Sequence, residues 1–300
     1  MAIADKGNSD FQASGPPIRL DLAKTAIAAR SPNLNRLNRP ATVSGKTGKD
    51  NANLHPGSGM YDIRNFTLKD MVETSAALRS LGAGAASMEE VADRIVHNLY
   101  DRFADRETGK KSFVLVRFFK THPYGELDEG LQVFARGMLG ALPPSPDMKC
   151  LTLLASMGTE PEWQSRKLSA GHQALPLPSE HFIEQFPMVR QLVQQLGLEI
   201  NTLLQPDPGV LMDLAQTTYN VFCVPQAVGC QYVPAQEQFV IPHGVHSVLG
   251  FGGILPSGNL FAIIIFSAVE LARETADLFK TLALSVKLAV LPFDGKAIFA

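Results

Sequence analysis

Apolar residues fall along this chain in two rhythms, one suited to helices and one to strands. Over 67–81, Leu68, Met71, Val72, Ala76 and Leu78 recur near the spacing of one helical face, and Gly82-Ala83-Gly84 ends the run. Ser87 then stands as an N-cap, with Glu90 placed to close a capping box. Met88, Val91, Ile95, Leu99 and Phe103 follow at i, i+3, i+7, i+11 and i+15, the stripe of an amphipathic helix. The run at 113–119, apolar except for Arg117, predicts a buried strand. A helix is predicted over 128–139, a break at Pro143-Pro144-Ser145-Pro146, a second strand over 150–155, and a helix over 180–196 between proline-dense loops.

The last third is the most legible. It predicts a short strand at 221–224, a helical turn at 235–241 and a glycine-relieved strand at 245–255. Pro256-Ser257-Gly258-Asn259 has hairpin-turn residues, and the return strand 260–267 is apolar on both faces and therefore central. The pattern turns helical again over 273–291. The class is α+β.

Residues 1–60 have no such rhythm. Phe11 is their only aromatic residue, eight basic side chains stand against four acidic ones, and Gly, Pro, Ser and Asn punctuate the stretch, leaving only 20–28 able to form a short helix. Such a stretch buries too little to offset its ordering entropy, so 1–60 is expected to be a disordered leader and 61–300 the folded domain. Over the whole chain 27 Lys and Arg balance 29 Asp and Glu, which disfavours a protein that coats nucleic acid. The longest apolar run, 260–269, is far short of the roughly 20 residues of a membrane span. Three cysteines and no secretory apolar segment at the start fit a reducing cytoplasm.

Taken together, the Gly244-Val245-His246-Ser247-Val248-Leu249 strand, the 256–259 turn, the apolar 260–267 return strand and the 274–283 helix resemble a GAF domain, over about 87–291. The stretches 117–127 and 283–289 are similar to ones in the GAF-type input region ahead of bacterial sensor histidine kinases. The resemblance implies a central antiparallel sheet flanked by helices, with 143–208 an enlarged middle insertion. It also implies a non-catalytic sensory module of two-component signalling that binds a small ligand or a protein partner. No transmitter segment follows the terminal helix in this sequence, so a separate kinase or other effector protein is the expected output.

Candidate chemistry is sparse. No phosphate-binding glycine loop precedes a helix. The candidate ligand-binding residues are Trp163, Phe222, Cys223, Phe239, His243 and His246, with the ligand and any cofactor unspecified. His243 and His246, with Cys223 and Cys230, open the alternative of a metal or haem sensor, against the simpler view of a packed thiol and histidines on a rim. Free methionine sulfoxide reductases are GAF domains with cysteine nucleophiles, so a thiol redox enzyme is a second alternative. Arg117, Lys120 and His122 could receive an anion, or form a solvated strand end, and the latter is the simpler expectation. On the terminal helix, Phe279, Leu282, Val286 and Ala289 make a seam expected to face a second copy in a homodimer.

Overall fold

The computed structural model describes residues 59–169, 171–205, 220–296 and 298–299. Most of the expected leader, 1–58, lies outside them. Two helices open the described chain, α1 (Leu68–Ser80) and α2 (Met88–Arg102). Thr67 caps α1 in a reciprocal box: its Oγ accepts from the Asp70 amide, and its own amide donates to the Asp70 carboxylate at 2.9 Å. Ser87 caps α2 by accepting from the Glu90 amide at 3.1 Å. The Glu90 carboxylate reaches one residue further back than a capping box requires, to the Ala86 amide at 2.8 Å.

The remaining elements are β1 (Phe113–Pro123), α3 (Glu129–Leu139), β2 (Lys149–Gly158), β3 (Ala174–Leu177), α4 (Glu180–Ile183), α5 (Pro187–Gln195), α6 (Ile200–Leu204), β4 (Phe222–Val224), β5 (Ser247–Ile254), β6 (Leu260–Ser267) and α7 (Arg273–Val290). The six strands form one antiparallel sheet in the order β3-β2-β1-β6-β5-β4. The expected helix over 180–196 is two helices. Pro187 has no amide hydrogen, and it forces Phe186 out of the helical region, to φ −116°, ψ 80°. The described part of the expected insertion, 143–205, thus holds β2, β3 and three short helices, and those helices cover one face of the sheet.

β6 shows why both faces need cover. Leu260, Ala262, Ile264 and Phe266 enter the core on the α3–α6 side; Phe261, Ile263 and Ile265 enter the core under α1, α2 and α7. In that second core Phe103 stacks on Phe113 at 4.9 Å, and Phe279 of α7 meets Phe251 of β5 at 5.4 Å. Gly252 of β5 is pressed against the β6 backbone at Phe261 and Ala262, where no side chain fits.

The seam on the terminal helix faces inward, which corrects the expectation drawn for it. Phe279, Leu282, Val286 and Ala289 are all buried in the chain's own core, because α7 lies across β5 and against α1 and α2. They cannot also be the contact surface of a second copy. The large apolar residues α7 leaves exposed are Leu284 and Leu288, and Leu291 is exposed just beyond it.

α1 and α7 approach closely at Gly82, where a Cβ would run into the Ala289 carbonyl. Gly82→Ala is expected to force the two helices apart and cost about 1–3 kcal/mol, read as a lowered urea midpoint with an unchanged m-value.

Candidate functional site

The six candidate ligand-binding residues do not form one site. Trp163, Phe239 and His243 do come together. The indole packs edge-on to Phe239 at 5.4 Å and to His243 at 4.7 Å, and Phe239 meets Phe266 of β6 at 4.9 Å. His243 Nδ1 also lies 3.4 Å from Glu160. This cluster fastens the 159–163 turn and the π-helical turn Gln236–Val240 to the sheet. Phe222 and Cys223 are adjacent on β4 and so point to opposite faces, Phe222 into the α3–α6 core and Cys223 toward α7. His246 is exposed, and its backbone bridges Ser267 and Ala227.

The cysteines are also dispersed. Cys150 on β2 and Cys223 on β4 are four strand spacings apart in the sheet, about 19 Å, beyond disulfide reach. Cys230 packs against the core opposite the one Cys223 faces. Burial pushes the Cys150 and Cys223 thiols up, away from the reactive thiolate. Among the described residues no three His, Cys, Asp or Glu side chains are grouped to hold a metal ion, and no helix is long and apolar enough to cross a membrane.

The solvated strand end expected at 117–122 is not solvated. β1 continues to Pro123, paired with β2 on one side and, through Lys120, with β6 on the other. Its polar residues are split across the sheet. Arg117 pairs with Ile264, on the face of the α3–α6 core, where its guanidinium donates to Ser169 Oγ at 3.1 Å and burial lowers it to about 10. Lys120 pairs with Phe261, on the opposite face.

Lys120 is 1% exposed and His122 is 0% exposed. The Lys120 ammonium donates to the Thr121 carbonyl at 3.2 Å, and among the described residues no carboxylate lies at ion-pair distance from it. Burial lowers it to about 8, partly opposed by the more distant Asp294 and Glu126. Neither ring nitrogen of His122 reaches a hydrogen-bond partner, although the nearby Lys120 carbonyl slightly favours a proton there. Burial first, then the Lys120 and Lys149 charges, hold the imidazole neutral far below its ordinary range.

Lys120 borders a cavity of about 570 Å³ at the end of the sheet, and His122 touches it through Phe299. β1 contributes Lys120, the start of β2 contributes Lys149, and the β5–β6 turn contributes Ser257 and Asn259. The Asn259 side-chain oxygen accepts from Lys149 at 2.7 Å and from Thr121 at 3.3 Å. Gly295, Lys296, Ile298 and Phe299, in the segment after α7, line the opposite side. That segment is fastened at both ends. Asp294 accepts from the Ser257 amide at 2.9 Å and its hydroxyl at 2.6 Å; the Ile298 carbonyl accepts from the Glu89 amide at 2.8 Å. Phe299 lies between His122, at 5.6 Å, and the Arg166 guanidinium, at 4.9 Å.

Sequence reasoning named Lys120 and His122 but missed Lys149, Asn259 and Lys296. Their signal was faint: a lysine before an apolar strand, the last residue of a hairpin turn, and a lysine beyond the terminal helix.

No family model matches this chain, and no curated protein matches it.

His122 gives the site a pH signature. Its proton affinity is depressed in the folded state, so below about pH 6.5 the unfolded chain binds more protons and folding weakens as pH falls. The stability of the protein minus that of His122→Leu is expected to fall from pH 7 to pH 5, approaching a limiting slope of about 1.4 kcal/mol per pH unit. Urea titrations at each pH measure it.

Proposed function

We propose that the chain is a non-catalytic, GAF-like sensory module of bacterial signalling, which binds a small molecule and passes the event on through its terminal helix. The observation that carries this reading is the position of the cavity. One wall is the sheet end, and the other is the segment directly after α7. A molecule held there touches the outgoing end of the chain as well as the core. Occupancy then biases how that segment and α7 pack on the sheet, which is the differential contact a ligand needs to shift a conformational equilibrium.

The size is appropriate: small-molecule pockets commonly occupy about 300–1,000 Å³. The strand order and the helices on both faces are compatible with the GAF plan inferred from the 244–283 residues. The aromatic cluster of Trp163, Phe239 and His243 is already packed against itself and fits a structural role better than a ligand-binding one.

Dimerisation belongs to the same reading, but through a different surface from the seam first expected. Leu284 is 58% exposed and Leu288 44%, one turn apart on α7, and neighbouring α1 leaves Leu68 and Val72 outside. A second copy covering this face couples α7 helices directly.

Two measurements check the reading. Native mass spectrometry of the protein as purified is expected to show a bound small molecule, and its removal to speed amide exchange at 294–299 and along α7. Unchanged exchange after removal contradicts transmission through that end. Sedimentation velocity is expected to show a dimer that Leu284→Lys with Leu288→Lys converts to a folded monomer; a monomeric parent, or an unchanged mass in the variant, contradicts the dimer.

A further inference from the structure

We infer that the cavity at the end of β1 takes a small organic anion, its phosphate or carboxylate group held by Lys120, Lys149 and Lys296 and its apolar part against Phe299. This rests on the reading of that cavity as the ligand site and adds the chemical class.

A buried ammonium with one carbonyl acceptor and no carboxylate beside it is costly, and an unbranched apolar side chain would fill the same slot without that cost. Lys120 therefore weakens the empty protein. Its neighbours offset that only in part, through the more distant Asp294 and Glu126. His122 is held neutral, Lys149 adds a second charge that burial also lowers, and Lys296 adds a third.

The carboxylates in reach are too few. Among the described residues Glu126 is the one carboxylate in the cavity lining, against three lysines, while Asp294, held by the Ser257 amide and hydroxyl, and Asp147 act on those lysines from outside it. An anion supplies the missing counter-charge and strengthens with the low local polarity. Asn259, whose oxygen faces Lys149 and Thr121, fixes the Lys149 ammonium in place. The Phe299 ring, tilted against His122, lines the cavity and supplies an apolar contact for the rest of the molecule.

The probes are sodium phosphate and sodium succinate, each compared with sodium chloride at equal ionic strength, on the full chain. At least one is expected to raise the thermal midpoint above the chloride control. By calorimetry, Lys120→Met and Lys149→Met each weaken that binding by about tenfold or more, the loss of one charge-assisted contact. Lys167→Met, at an exposed lysine away from this cavity, binds like the parent. Without added anion, Lys120→Met is expected to melt above the parent. If it does not fold by circular dichroism, Lys149→Met carries the test.

The inference is overturned if neither anion differs from chloride, or if both lysine variants bind as tightly as the parent. An uncharged molecule seen by native mass spectrometry, with no effect of either anion, overturns the anion class and leaves ligand sensing standing. Anion binding that leaves exchange at 294–299 unchanged does the reverse: the site holds and transmission fails.

Discussion

β6 is apolar on every residue but its last, and it lies third from one edge of the sheet and fourth from the other. A strand of this kind is stable only if both of its faces are closed over, and the whole described architecture follows from that demand. Helices α1, α2 and α7 close one face with a bed of phenylalanines. The insertion between β2 and β4 closes the other, with helices too short to stand alone in water. Its described helices, together with α3, are therefore the second lid of the core. Burial of α7 follows from the same demand: Phe279, Leu282, Val286 and Ala289 face inward because Phe251 and the rest of the inner sheet face require a partner.

At one end of the sheet this economy breaks down. β1 runs past its apolar stretch and carries Lys120, Thr121 and His122 into the interior. Thr121 is satisfied through Asn259 and the Leu260 amide, but the ammonium and the imidazole are not comparably served. Buried polar groups with incomplete partners are rare in native folds because each one costs stability. Lys120 and His122 stand together where the chain after α7 returns to the sheet. The aromatic cluster of Trp163, Phe239 and His243 has no such deficit.

Periodicity made most of the fold legible. The 260–267 strand, the cap at Ser87 and the stripe from Met88 to Phe103 follow from side-chain spacing, and local spacing is what a sequence displays directly. The proline break at Phe186 was visible in principle, since Pro187 excludes the preceding residue from a helix, but a long apolar pattern masked it. The site was much less legible. Lys120 and His122 look like a solvated strand end because charged residues usually mark one. What buries them is the 294–299 segment and the 256–259 turn, more than 130 residues away, and no local rule reports that. The terminal-helix seam failed for a related reason: an apolar stripe specifies that a face is covered and leaves open by what.

The fastening of the 294–299 segment has a consequence for folding order. Its contacts reach to Glu89 and Arg166, to His122 and to Ser257, so the pocket wall closes only after the first and last elements of the described chain have met. Contacts of such long sequence separation carry the largest loop-closure cost and form late. Binding competence is thus acquired at the end of folding, and a truncated or half-folded chain holds the lysines without the enclosure that makes them a site.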